Sequence, residues 1–159
     1  MNGRDRIGAF EAALNLISYK DRTVYELVKR LKEKEYDEDE IKEAMEKLIY
    51  YGYADDRRYA ESYIRYRSSS KGNRRIAMEL SQKGVDRAVV SELLSEYERD
   101  ESEDVLSILE SRYAASDLTD EKTRRRVFGF FARRGFSNES INKAFRKQRE
   151  KLFNNLTGK

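Results

Sequence analysis

Between Tyr53 and Gly84, in the stretch YADDRRYAESYIRYRSSSKGNRRIAMELSQKG, eight Arg and Lys residues interleave with four Tyr and only four acidic residues. Side chains of these types hold polyanions. Ammonium and guanidinium groups take phosphate oxygens, and rings take base faces. The alternatives are narrowed by composition. The 159 residues include no Cys and no His, which removes thiol nucleophiles, disulfides, the usual zinc ligand sets and His general bases. The loop SSSKGN (68–73) offers amides and Lys71 to a phosphate but lacks P-loop spacing. The adjacent carboxylates of Asp55 and Asp56 suit a helix N-terminus better than a metal. With no nucleophile–base set in view, the expectation is a binding protein, not an enzyme, without a cofactor.

Charge is unevenly distributed. The net charge is +3, but residues 1–56 carry −4, residues 57–87 +6, residues 88–121 −9 and residues 122–159 +10. Two basic blocks around an acidic one suggest an oriented electrostatic face, although a charged helix face can also be mere solvation. No apolar run approaches membrane-spanning length, and the opening MNGRDRIGAFEAAL lacks a signal-peptide core. A cytoplasmic location is expected.

The elements that position these side chains come from an internal repeat. Aligned on Tyr36, Val85 and Phe136, the chain places Leu27, Ile76 and Val127 nine residues earlier and Leu31, Leu80 and Phe131 five earlier. Ile41, Val90 and Ile141 fall five later, and Ala44, Leu93 and Ala144 eight later. The spacing within each copy is helical. A turn follows at Glu35, Gly84 and Gly135, where Gly suits a left-handed helix end. Thr23 with Glu26 and Asp37 with Glu40 fit capping boxes, and Ser137 fits an N-cap. A further helix precedes each pair. The fold class is therefore all-α: three tandem three-helix repeats forming an elongated array, with its curvature left open. The repeats span 1–54, 55–100 (central and basic) and 101–159. The acidic segments 95–105 and 114–123 are expected to be flexible joints.

On the helix from Arg57 to Arg67, Ala60, Tyr63 and Ile64 point inward, Arg58, Ser62 and Arg65 point outward, and Tyr59 and Tyr66 lie half-buried on the flank. On the next helix, Ile76, Ala77 and Leu80 point inward, and Arg75, Met78 and Gln82 outward. Arg74 and Arg75 align with Arg125 and Arg126, and Gln82 and Lys83 with Arg133 and Arg134. The first repeat has no such basic pairs. The expected DNA- or partner-binding residues are Arg58, Arg65, Lys71, Arg74, Arg75, Arg125, Arg126, Arg133 and Arg134.

YADDRRYAESYIRYR followed by KGNRRIAMELSQKGV resembles the central signature of the RecX regulatory proteins, bacterial modulators of the RecA recombinase. The residues that carry the resemblance are Asp55, Asp56, Tyr59, Ala60, Gly72, Arg75, Ile76, Leu80, Lys83, Gly84 and Val85. FARRGFSNESI (131–141) resembles the family's C-terminal turn, and RTVYELVKRL (22–31) its opening. The resemblance implies a regulator that binds the RecA–single-stranded-DNA filament and inhibits recombinase, ATPase and coprotease activities in recombination, repair and the SOS response. It also implies contact with single- or double-stranded DNA; a monomer is expected. The alternative is an autonomous helical DNA-binding protein or transcriptional regulator, for which Asn138 and Asn142 would be candidate base readers.

Overall fold

A computed structural model describes residues 6–158. Residues 1–5, part of the opening segment read above, and residue 159 lie outside the described residues. Among the described residues there are nine α-helices, one short 3-10 helix and no strand. The helices are α1 (Ala9–Tyr19), α2 (Val24–Glu33), α3 (Glu38–Tyr50), α4 (Asp56–Arg67), α5 (Asn73–Gln82), α6 (Arg87–Glu96), α7 (Glu101–Arg112), α8 (Glu121–Arg133) and α9 (Asn138–Leu156). The 3-10 helix spans Ala115–Thr119. Among the described residues no helix is long and apolar enough to cross a membrane.

Local chemistry starts and stops these helices. Thr23 and Asp37 form full capping boxes with Glu26 and Glu40, each cap worth about 0.5–2 kcal/mol. Asp55 Oδ1 accepts from the Arg58 amide at the start of α4, and Ser137 caps α9. The second helix of every repeat ends in the same turn. The amides of Glu35, Gly84 and Gly135 donate to the carbonyls of Lys32, Ser81 and Ala132. Those of Tyr36, Val85 and Phe136 donate to Leu31, Leu80 and Phe131. These are three Schellman motifs in register. They require a left-handed residue, with φ of 65° at Glu35 and 86° at Gly84 and Gly135.

The chain divides into two compact units, residues 1–62 with 80–93, and residues 63–79 with 94–159. The first contains a core built on Ala13, Leu27, Leu31, Ile41, Ala44 and Leu48. The second contains a core built on Val105, Leu109, Val127, Phe131, Phe136 and Ile141. Every apolar position of the repeat register named above is buried.

Within each unit one repeat docks on the next, by the same register. In the first, the Thr23 hydroxyl donates to the Lys83 carbonyl (2.6 Å) and the Val24 amide to the Asp56 carboxylate (2.9 Å). In the second, the Gly72 amide donates to the Arg134 carbonyl (2.9 Å) and the Asn73 amide to Glu101 (2.7 Å). Thr23 and Gly72 are register equivalents, as are Lys83 and Arg134. Asp56 and Glu101 are each the first residue of the following repeat's first helix. The orphan amides of a helix N-terminus are thus satisfied by the neighbouring repeat. The approach is close. A Cβ on Gly72 would lie 2.2 Å from the Gly135 oxygen, one on Gly135 2.4 Å from the Arg75 amide nitrogen, and one on Gly84 2.2 Å from Tyr25 Cβ.

The equivalent turn of the first repeat, at Glu35, is held from the N-terminal side. Arg6 donates to the Glu35 carbonyl, pairs with Glu40 at 3.2 Å and lies 3.8 Å from the Tyr36 ring centroid. The Tyr36 hydroxyl donates to the Ile7 carbonyl at 2.7 Å.

The acidic segment 95–105 is not a free joint. The Arg99 guanidinium, largely buried, donates to the carbonyls of Ser68 and Lys71 and pairs with Glu101 and Asp104 at 3.5 Å. Asp100 then caps α7 at Ser102. Segment 114–123 contains the 3-10 helix, whose Ala114 amide donates to Asp117, and Asp120 caps α8 at Thr123.

Candidate partner-binding surface

The orientation read for α4 and α5 holds for most positions. Ala60, Ile64, Ile76 and Leu80 are at most 2% exposed, whereas Arg58, Arg65, Arg74, Arg75, Met78 and Gln82 are exposed. Tyr66 departs from expectation: it is 79% exposed. It follows Arg65 on the outward arc of α4. Ser62, read as outward, is partly buried.

Eight of the nine candidate cations belong to the unit of residues 63–79 and 94–159, which carries a net charge of +6 against −3 for the other. Arg58 belongs to the first unit, where its guanidinium donates to the Gly52 carbonyl at 2.9 Å. The eight fall into two groups.

Lys71, Arg75 and Arg134 are engaged within the protein. Lys71 Nζ lies 2.6 Å and Arg75 Nε 3.1 Å from Glu79 Oε1, and the Tyr63 hydroxyl donates to Glu79 Oε2. Burial pushes the Glu79 carboxyl up, but the bonds from Lys71, Tyr63 and Arg75 outweigh it and hold the pKa at about 2. Arg134 lies 4.4 Å from the Phe130 ring centroid, with Arg112 at 4.8 Å, and reaches the Ser70 carbonyl. The 68–73 loop is likewise committed. The amides of Ser70 and Lys71 donate to the Arg67 carbonyl, that of Gly72 to Arg134 and that of Asn73 to Glu101. The phosphate cradle read for this loop is therefore not formed: those four amides point at protein oxygens.

Arg65, Arg74, Arg125, Arg126 and Arg133 form the outward group. Arg125 pairs with Glu121 at 2.8 Å but stays 79% exposed; such a pair is worth little. Arg65, Arg74, Arg126 and Arg133 are exposed, and their side chains make no hydrogen bond or ion pair with the described residues. Arg126 and Arg133 stand seven residues apart on α8, so they share a face with Lys122. Gly129 lies between them, and the Arg133 guanidinium passes over it, 3.0 Å from where a Cβ would stand. The result is a cationic stripe along one helix.

The residues that organise this region and that sequence reading missed are Arg99, Glu79 and Glu101. Arg99 sits in a run of acids and reads as part of it. Glu101 bonds the amides of Asn73 and Ser137, partners 28 and 36 residues away. Asp56, read as a cap, also serves the Val24 amide; burial pushes its carboxyl above the ordinary value and that bond pulls it back.

Three repeated helical units, docked through backbone amides and carrying a cationic stripe, define an all-α helical-repeat protein. Three family models match in order along the chain: the RecX first three-helix domain at residues 9–48, the second at 55–94 and the third at 100–145. A Regulatory protein RecX from Trichlorobacter lovleyi is 36% identical over 143 residues, covering 86% of this chain and 92% of that protein. One from Chlorobium phaeobacteroides is 30% identical over 84% of this chain and 88% of its own. The crystal structure of RecX from Lactobacillus salivarius superposes with a TM-score of 0.78 at 29% identity, over 88% of this chain and 94% of that one. The chain belongs to the RecX family of regulatory proteins.

Proposed function

We propose that this protein binds the RecA–single-stranded-DNA filament and restrains its recombinase, ATPase and coprotease activities, acting in the cytoplasm as a regulator of recombination and repair. The observation that carries the reading is the presence of all three RecX domains in order over most of the chain. The charge distribution supports a contact surface in the unit of residues 63–79 and 94–159. Arg65, Arg74, Arg126 and Arg133 are its principal cations, with Arg125 beside them. Lys71, Arg75 and Arg134 serve by holding the loop and turn on which the others stand. Arg58, on the first unit, is a separate candidate cation.

The test is RecA's single-stranded-DNA-dependent ATP hydrolysis, titrated with this protein and with a variant carrying Arg65→Glu, Arg74→Glu, Arg126→Glu and Arg133→Glu. The expected result is inhibition by the natural chain at less than one copy per RecA subunit. The variant should need at least about tenfold more protein, and the difference should shrink as salt rises. Equal inhibition by both would move the contact surface elsewhere. No inhibition at excess folded protein would overturn the reading.

A further inference from the structure

The third repeat holds a cavity of about 440 Å³ between the 3-10 helix, α8 and α9, within the roughly 300–1,000 Å³ range of small-molecule sites. Its lining joins three cations, Arg124, Arg146 and Arg149, to the apolar Leu118 and Phe145 and to the amide of Gln148. No lining residue carries a carboxylate. Asn142, singled out in the sequence as a base reader, also lines it.

The three arginines, Arg124 on α8 and Arg146 and Arg149 on α9, differ from the lysines of α9. Lys143, Lys147 and Lys151 each pair with an acid of α7 or its cap: Asp100, Glu103 and Glu110. Arg124, Arg146 and Arg149 make no side-chain hydrogen bond or ion pair with the described residues. Helix α9 thus neutralises its lysine row against α7 and leaves Arg146 and Arg149 with the cavity, where Arg124 of α8 joins them.

Gln148 is the second, independent observation. It continues the buried stripe of α9 after Ile141 and Ala144, where an apolar side chain would be expected. It is only 6% exposed, yet its amide has no hydrogen-bond partner among the described residues. Its amide atoms are not among the buried ones left unsatisfied, so the exposure the residue keeps lies at the amide, which opens to the cavity. A ligand seated there can bond that amide.

The chemistry of that ligand can be read from the lining. Arginine forks match phosphate oxygens. A carboxamide offers a donor and an acceptor side by side, the pattern that pairs with the adenine edge. Phe145 and Leu118 supply apolar contact for a flat ring. We infer that this cavity is a nucleoside-phosphate site, with Gln148 on the base edge and Arg124, Arg146 and Arg149 around the phosphate. The nucleotide can be free, or an unstacked nucleotide of a single strand.

The experiment is an amide NMR titration of the full chain with dAMP, with adenosine and inorganic phosphate as controls. The expected result is saturable movement of the Gln148 side-chain amide and of the Leu118 and Phe145 backbone signals. Either control alone should need at least about tenfold higher concentration. Gln148→Leu keeps the buried stripe and should weaken dAMP binding at least about tenfold. The exposed double change Arg124→Gln, Arg149→Gln should do the same without touching the core. A deoxyadenosine oligonucleotide that displaces dAMP from Gln148 identifies a strand as the source; failure to displace it identifies the free nucleotide. No saturable movement of the Gln148 amide with dAMP or the oligonucleotide would overturn the inference, as would unchanged dAMP affinity in both variants. Neither result bears on filament binding, because none of the four filament-test residues lines the cavity.

Discussion

At the first junction Thr23 reaches the Lys83 carbonyl through a side-chain hydroxyl, and Gly84 clears a tyrosine side chain. At the second, the Gly72 backbone amide itself makes the bond, and Gly135 clears the Arg75 backbone. One register thus supports two distances of approach. A hydroxyl spans a wider gap and leaves room for a Cβ at position 23. A main-chain bond brings two backbones together and demands glycine on both sides. The tighter junction also has the heavier polar support, through Glu79, Lys71, Arg99 and Glu101.

Substitutions should rank accordingly in urea unfolding followed by circular dichroism. Gly72→Ala is expected to cost most, about 3–4 kcal/mol, because its Cβ meets a carbonyl that cannot move without opening the turn. Gly135→Ala should cost about 3 kcal/mol, from the backbone clash and the left-handed φ together. Gly84→Ala should cost slightly less, about 2–3 kcal/mol: it shares the left-handed φ, and its Cβ meets Tyr25 Cβ, which moves only with its backbone, but no main-chain atom directly. If Gly84→Ala proved worse than Gly72→Ala, the two junctions would not differ as described.

Two smaller changes sharpen the contrast. Glu79→Gln should cost about 1–3 kcal/mol at neutral pH by weakening the bonds from Lys71 and Arg75. Its pH signature is more specific. The folded pKa of about 2 lies below the ordinary 4.5, so the stabilisation is fully present above about pH 4.5 and is lost as pH falls toward 2. The natural chain should lose stability across that window more steeply than Glu79→Gln. Smallest is Glu35→Gly. It relieves a left-handed residue at about 1–2 kcal/mol but loosens the unfolded chain by about 0.5–1 kcal/mol. A net gain below about 1 kcal/mol is expected, in place of the losses predicted when the equivalent glycines are changed to alanine.

The repeat register, the capping boxes and the glycine turns were legible because each depends on residues within one helical turn or one helix length. The inward positions Ile64, Ile76 and Leu80 followed from the same periodicity. What joins one repeat to the next was not legible. Nothing in the spacing of Thr23 shows that its hydroxyl meets a carbonyl sixty residues on, and Arg99 is hidden by the acids around it. The candidate cations were chosen by charge and register, which do not tell an Arg that faces water from one that lies against Phe130 or beside Glu79. Lys71, chosen as a cation for a partner, is paired with Glu79. Tyr66 was placed by its angle on the helix, without knowledge of what covers that angle.

Repeat proteins lengthen by duplicating a unit, and each added unit needs a vacant docking turn. A unit duplicated ahead of the first would have to bring a helix N-terminus onto Lys34 and Glu35. There the left-handed residue carries a Cβ, and Arg6 already holds the Glu35 carbonyl and the Tyr36 ring. A unit duplicated after the third would have to receive the N-terminus of α8. That helix begins three residues earlier than its counterparts and is capped by Asp120. Growth by simple copying is therefore blocked at both ends, so a longer descendant would have to acquire substitutions at Arg6 and Glu35, or shed a helical turn, before duplication could be tolerated.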